Sequence, residues 1–288
     1  MIWHDLRNSN DPELQVLAEK FRLHPLHVED CLHGKQRAKV EEGADYIFVV
    51  LQTANVTGEG EVQLSNLAVF LGQEYLITVP ESECPRLRAA MDKLHATAHE
   101  MRSDHLFYKI LDEGVDAFVP VLDWFDEDID GLEEAVLEKP SPATLQRIFK
   151  VKRSLIELRR VLSNMRDVAS HLQRMETGLI HRDLWPFLRD VYDHLARNLD
   201  MVEMQRDLLT GAMDIYLSSV ANRTNEVMKV LTVLGTIALP SIVISGFFGM
   251  NTKQLPWIDS PYGTAIAVSL MVVSTTGLLV MLKKFDWF

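Results

Sequence analysis

The chain has 288 residues, of which 41 are acidic, 29 basic and 47% hydrophobic, and its formal net charge is −12. Nucleic-acid modules need a clustered basic face to displace counterions, and no such run precedes the C-terminus, so the composition excludes a nucleic-acid partner and favours cations or basic partners. Two cysteines, Cys31 and Cys84, make neither a disulfide framework nor a zinc spacing, and the opening residues Met1 to Arg7 lack an apolar run of signal-peptide length, which predicts a body kept in a reducing compartment.

Taken in chain order, residues 11–21 and 25–33 have helical periodicity. The stretches 46–53, 65–71 and 75–79 are short, β-branched or aromatic, and bounded by turn residues, so they read as strands of one small sheet. A further helix at 86–98 completes an α/β subdomain over residues 1–100. Helical patterns then cover 103–137 and 141–178, broken at Pro140-Ser141-Pro142, and make 101–186 a helical subdomain. From 187 to 248 the only turn-like residue before Lys229 is Gly211, so a stalk helix runs into a hydrophobic segment as a rod of roughly 90 Å. One copy cannot cover such a rod, which predicts packing against copies of itself.

A mean hydropathy of 0.00 hides a division between the ends of the chain. Residues 1–229 carry 39 acidic and 26 basic side chains, whereas Val230 to Phe248 and Tyr262 to Leu282 carry none. Each uncharged run is long enough to cross a bilayer core of about 30 Å as a helix, which predicts transmembrane helices at about 230–248 and 262–282 joined by an external loop, 249–261. Buried core helices are the other reading of such runs. Arg223 and Lys229 before the first span, and Lys283 and Lys284 in the basic tail 283–288, place both termini in the cytoplasm of a plasma-membrane protein.

Walking the stalk in alternating steps of four and three gives Asp214, Ser218, Ala221, Asn225, Met228, Thr232, Gly235, Leu239, Ile242, Gly246 and Gly249, most of them small or polar. Two arrangements fit. Small residues let membrane helices pack closely. In a symmetric oligomer the same face becomes a pore, with Asp214 and Asn225 as polar rings and Met228, Leu231 and Leu239 as a constriction that closes by dewetting. Pro240 frees a carbonyl mid-span, tolerable only where protein or water satisfies it. At the outer end, Gly249-Met250-Asn251 offers a glycine for close backbone approach and a carboxamide able to contact the water shell of an ion such as Mg²⁺, which dehydrates reluctantly.

These residues carry a resemblance. With Gly249-Met250-Asn251 after the first of two C-terminal spans, the stalk segment from Tyr216 to Lys229, and upstream His24-Pro25-Leu26, Glu29-Asp30 and Gln36 to Glu41, the chain resembles the CorA family of divalent-cation transporters over nearly its whole length. The resemblance implies an αβα cytoplasmic domain with long helices, a stalk helix and two C-terminal transmembrane helices, assembled as a funnel-shaped homopentamer in the lipid bilayer. It implies a channel without catalytic residues or a cofactor, taking up Mg²⁺, with Co²⁺ or Ni²⁺, down the membrane potential. Carried onto this chain, Gly249, Met250 and Asn251 are the selectivity filter, Asn225 and Asp214 the inner polar rings, and Met228, Leu231 and Leu239 the hydrophobic gate. The resemblance also implies cytoplasmic Mg²⁺ as a regulatory ligand that holds the pore closed. Asp123, Asp126, Glu127 and Asp130 are the acidic candidates for it, although a run of charges also reads as a solvated face.

Some positions depart from the family. Many members carry acidic residues in the outer loop, whereas this loop has Lys253 with Asp259 alone to offset it, and Ile242 stands where some members carry Thr. Weaker electrostatic concentration of cations leaves a zinc transporter of the same superfamily, with or without proton coupling, as the alternative. A membrane-anchored metal sensor or scaffold is a more distant one. A metalloenzyme built on His24, His27, Asp30, Cys31 and His33 lacks the general base that a His-Glu-x-x-His motif supplies.

Overall fold

The computed structural model describes residues 1–34, 36–57, 61–82, 84–250 and 261–285. Its strands are β1 (Ile2–Asp5), β2 (Lys39–Glu42), β3 (Tyr46–Val56), β4 (Val62–Gly72) and β5 (Tyr75–Pro80). Its α-helices are α1 (Glu13–Lys20), α2 (Pro25–Leu32), α3 (Pro85–His95), α4 (Ser103–Asp116), α5 (Val119–Glu138), α6 (Pro142–Arg174), α7 (Trp185–Phe248) and α8 (Gly263–Lys284). Two compact units divide the chain, Met1–Asp214 and Ile215–Phe288.

In the first unit the strands form a sheet in the order β1-β5-β4-β3-β2. β1 runs parallel to β5, and the other neighbours are antiparallel. The hairpin β3–β4 registers Tyr46 on Gly72 and Val56 on Val62, and Thr57 N–H closes its end by donating to Glu61 O at 2.8 Å. Both arms are longer than the sequence predicts because this pairing carries the polar residues Asn55 and Gln63 into the ladder. β1 and β2 escape the sequence reading altogether. Each has four residues, and Lys39-Val40-Glu41-Glu42 is the charged sequence expected of an exposed sheet edge.

Residues Tyr46 to Ala54 are buried without alternation, so β3 is covered on both faces. On one face Phe48, Phe70 and Ile77 meet Leu14 and Leu17 of α1 and Val28 and Cys31 of α2. Helices α4, α5 and α6 pack on β3 as well, which completes the αβα layering. Where the sequence shows one helical pattern over 103–137, the structure has two helices. Pro120 lacks an N–H, and its ring would collide with the carbonyl of Asp116, where α4 ends. Ser141 Oγ accepts from Thr144 N–H at 3.2 Å and caps α6.

A buried carboxylate ties α4 to the connection that leads into α7. Asp104, 1% exposed, accepts from His181 N–H at 3.1 Å and from His181 Nδ1 at 2.8 Å, and from Arg102 Nε at 3.0 Å. Burial works against this charge, yet the donors from Arg102 and His181 prevail and hold the carboxyl below its usual range.

Candidate functional site

In the second unit, the membrane-length stretch of α7, and α8 up to Leu282, are apolar and almost uncovered, with 6% of the most hydrophobic window of each helix buried. Beyond Tyr216, Val233 on α7 and Ala267 on α8 are the buried hydrophobic side chains among the described residues. Helices apolar all round and left open in a single copy need lipid or further copies to cover them. Hydroxyls in these helices are satisfied internally. Thr232 donates to Met228 O at 2.7 Å, Thr236 to Thr232 O at 2.8 Å, and Ser274 to Leu270 O at 2.7 Å. Helix α7 continues through Pro240.

The sequence-derived pore residues lie on open surface of this chain. Asn225, Met228, Leu231 and Leu239 are all exposed on α7, the last three at 55%, 63% and 63%, and Asp214 is exposed at the end of the first unit. Met228 and Leu231, three residues apart, occupy neighbouring ridges of the helix, so both can face one axis. Gly249 ends α7, where its N–H donates to Ser245 O at 2.8 Å. A Cβ there would lie 2.9 Å from the same oxygen, so the glycine is required by close approach, while its φ stays outside the left-handed region. Met250 is half exposed, and Asn251 lies outside the described residues, as do Lys253 and Asp259.

The four carboxylates singled out in the sequence do not converge. Asp123, Glu127 and Asp130 are exposed on α5, and Asp126 accepts from Gln205 Nε2 at 2.7 Å. Among the described residues, the set of three metal-capable side chains with ligand atoms within 4.8 Å of one another is Asp112 and Asp116 on α4 with His194 on α7. Burial, then the neighbouring Asp116 charge, raises the Asp112 carboxyl, and Tyr108 donates to it at 3.3 Å. The His194 ring reaches Asp116 at 3.7 Å through Nδ1 and Asp190 at 3.4 Å through Nε2. Sequence reasoning misses this set. The i, i+4 spacing of Asp112 and Asp116 is visible in the chain, but their partner stands 78 positions further on, and only the packing of α4 against the stalk brings it in.

The histidine-rich segment at α2 serves structure. His24 Nδ1 accepts from Leu26 N–H at 3.3 Å as a helix cap, and Cys31 is buried with its thiol donating to His27 O. His27 is buried between Tyr46 Oη at 2.8 Å and Glu41 at 2.9 Å. Lys39 bridges Asp30 at 2.7 Å and Glu41 at 2.8 Å.

Residues 1–284 match the family described as CorA-like Mg²⁺ transporter protein. The chain belongs to this family. It is 36% identical over 278 residues to the cobalt/magnesium transport protein CorA of Thermotoga maritima, covering 95% of this chain and 79% of that one. It is 23% identical over 278 residues to the zinc transport protein ZntB of Yersinia enterocolitica, covering 96% of this chain and 85% of that one. The complete structure of the CorA magnesium transporter from Methanocaldococcus jannaschii superposes with a TM-score of 0.89 over 99% of this chain and 91% of that one, at 24% identity, and so shares its fold. CorA-like proteins are metal-ion transporters and not enzymes, which accounts for the two long apolar helices at the C-terminal end.

Proposed function

We propose that this CorA-like chain is a channel for hydrated divalent cations, most of all Mg²⁺ and with it Co²⁺ or Ni²⁺, formed by a homo-oligomer of five copies with both termini in the cytoplasm. The observation that carries the reading is the face of α7 from Asn225 through Met228, Leu231 and Leu239 to Gly249, open in the single chain and changing from polar to apolar to a glycine turn. Repeated around an axis, Asp214 and Asn225 offer oxygens to the ion's water shell, Met228, Leu231 and Leu239 form the dewetting gate, and Gly249, Met250 and Asn251 meet the hydrated ion outside. The relative from Thermotoga maritima, named for cobalt and magnesium transport, supports the choice of ions. In this reading residues 1–100 and 101–186 are the cytoplasmic subdomains, 187–248 the stalk and first span, 249–261 the external loop, 262–282 the second span and 283–288 the basic tail.

Regulation by cytoplasmic metal belongs to Asp112, Asp116 and His194 in preference to the stripe Asp123, Asp126, Glu127 and Asp130, because the ligand atoms of the former lie within 4.8 Å of one another and those of the latter form no such set among the described residues. Two carboxylates that repel one another beside an imidazole take a divalent cation directly if it is Co²⁺ or Ni²⁺, and through retained water if it is Mg²⁺.

Uptake into proteoliposomes tests the proposal. An inside-negative potential is expected to drive Mg²⁺ flux that hexaamminecobalt, a mimic of the hydrated ion, blocks and that Asn251→Ala reduces at least tenfold. Zn²⁺ flux that follows a pH gradient instead would support the second reading, a zinc transporter, which Lys253 in the outer loop and the similarity to ZntB favour. Absence of flux for every ion would overturn both.

A further inference from the structure

We propose that the cavity where β1 and β5 end beneath α3 binds a small organic oxyanion, its phosphate or carboxylate head held by Arg7 and Arg88 and its apolar body laid on Leu67, Pro80 and Leu87. The cavity has a volume of about 500 Å³, within the range of small-molecule sites. It lies at the carboxyl ends of the parallel pair β1 and β5, the place where open α/β sheets receive ligands because strand ends and helix starts leave backbone groups unpaired there.

One wall is fixed by a chain of buried polar groups. Trp3 Nε1 donates to Thr78 Oγ1 at 3.0 Å, and Thr78 Oγ1 donates to Asp5 Oδ1 at 2.8 Å. Asp5, its side chain 4% exposed, uses Oδ2 to hold Arg88 at 2.7 Å and His95 at 2.8 Å, and the His95 ring stacks on Trp3 at 3.8 Å. A buried carboxylate that already accepts three bonds, two of them from Arg88 and His95, has little left to offer a free cation. It acts as an anchor that sets the Arg88 and His95 side chains at the cavity in advance of a ligand.

The remaining groups point to an anion. Arg7 lines the same cavity, and among the described residues its guanidinium has no carboxylate partner. Cys84, at the N-cap of α3, gives that helix no side-chain cap, so its first-turn N–H groups stand beside the cavity without one. The lining therefore carries Arg7, Arg88 and His95 against Asp5, and because Asp92 at its margin also holds Arg88 at 2.7 Å, the guanidinium left for a ligand's charge is that of Arg7, with Arg88 fixed beside it. Inorganic phosphate would leave most of the volume empty, whereas the apolar lining offers a surface for an organic body.

The test uses the full chain in detergent and in buffer stripped of divalent ions, titrated calorimetrically with phenyl phosphate, benzoate and inorganic phosphate. Phenyl phosphate or benzoate is expected to bind, the tighter of the two identifying the head group, with inorganic phosphate at least about tenfold weaker. Binding is expected to weaken with salt and to fall at least about tenfold in Arg7→Glu. Arg7 is exposed, so this variant keeps its unfolding temperature, and Arg159→Glu, remote on α6, controls for overall charge. No heat from any probe up to about 10 mM, equal affinity for inorganic and phenyl phosphate, or affinity unchanged in Arg7→Glu would each overturn the proposal.

Discussion

Gln205, fully buried on α7, donates through Nε2 to Asp126 Oδ1 at 2.7 Å and to Leu122 O at 2.9 Å, so one of the four carboxylates that the sequence offers as metal ligands is occupied in fastening α5 to the stalk. Asp126→Asn keeps an accepting oxygen and is expected to cost less than about 1 kcal/mol, whereas Gln205→Ala opens a cavity and strips both bonds at a cost of about 3 kcal/mol. Denaturant unfolding of the two variants checks the contrast.

Metal dependence separates the two acidic groups. Saturating Mg²⁺ or Co²⁺ raises the unfolding temperature by binding the folded form, and about 100 times the dissociation constant contributes about 2.7 kcal/mol. Asp112→Asn is expected to abolish that rise and Asp126→Asn to keep it. A rise that survives in Asp112→Asn would remove the regulatory assignment to Asp112, Asp116 and His194.

Asp104 is the buried charge that the first unit depends on. Asp104→Ala leaves the His181 N–H without its acceptor and takes from Arg102 one of its two carboxylates, Asp183 remaining at 2.9 Å, and a loss of about 2 kcal/mol is expected. Thermal melting with and without the substitution measures it. Because the folded carboxyl titrates below its unfolded value, the stability it contributes is present above about pH 4 and is lost as pH falls further.

A second pH effect acts at milder acidity. Burial lowers the pKa of His27, against an opposing pull from Glu41, so the fold holds it neutral while the unfolded chain titrates near pH 6.5. Its contribution is therefore full above about pH 6.5 and declines as pH falls toward the folded pKa. Glu41 is held below its usual range first by the Lys39 donor, and its contribution disappears only below about pH 4.5. The stability of the native chain is expected to decline between pH 7 and pH 5 more steeply than that of His27→Gln, and equal slopes would contradict the assignment.

Gly249→Ala places a methyl 2.9 Å from Ser245 O at the point where α7 ends. Ion flux is expected to fall at least tenfold while the oligomer still forms in detergent, because the strain is confined to the helix end. Intact flux with intact assembly would show that the turn tolerates the methyl.

Local periodicity makes much of this molecule legible in its sequence. The two apolar runs, the strand pair of 46–53 and 65–71, and the long stalk pattern are each read within one segment, and the helices and strands that carry them lie where those patterns place them. Pro120 is equally visible, yet the apolar repeat on either side of it hides the break between α4 and α5. Strands β1 and β2 are illegible for another reason: four residues of mixed polarity are too few to carry a period, and only the partner strand gives Trp3 or Val40 a place in a sheet. The same limit governs the sites. Asp123, Asp126, Glu127 and Asp130 form one acidic run on a helix whether it holds a metal or only solvent, whereas Asp112 and His194 share nothing until α4 and α7 pack together.

The first unit is complete by Asp214, and every apolar run that needs a membrane comes after it. Synthesis at about 5–20 residues per second gives the αβα layers roughly 10–40 s of emergence before the first span leaves the ribosome. Sheet pairing, including the parallel match of β1 with β5, closes within the first 80 residues. The water-exposed part can thus reach its native form during translation, and insertion begins on a chain whose soluble core no longer competes for its greasy segments.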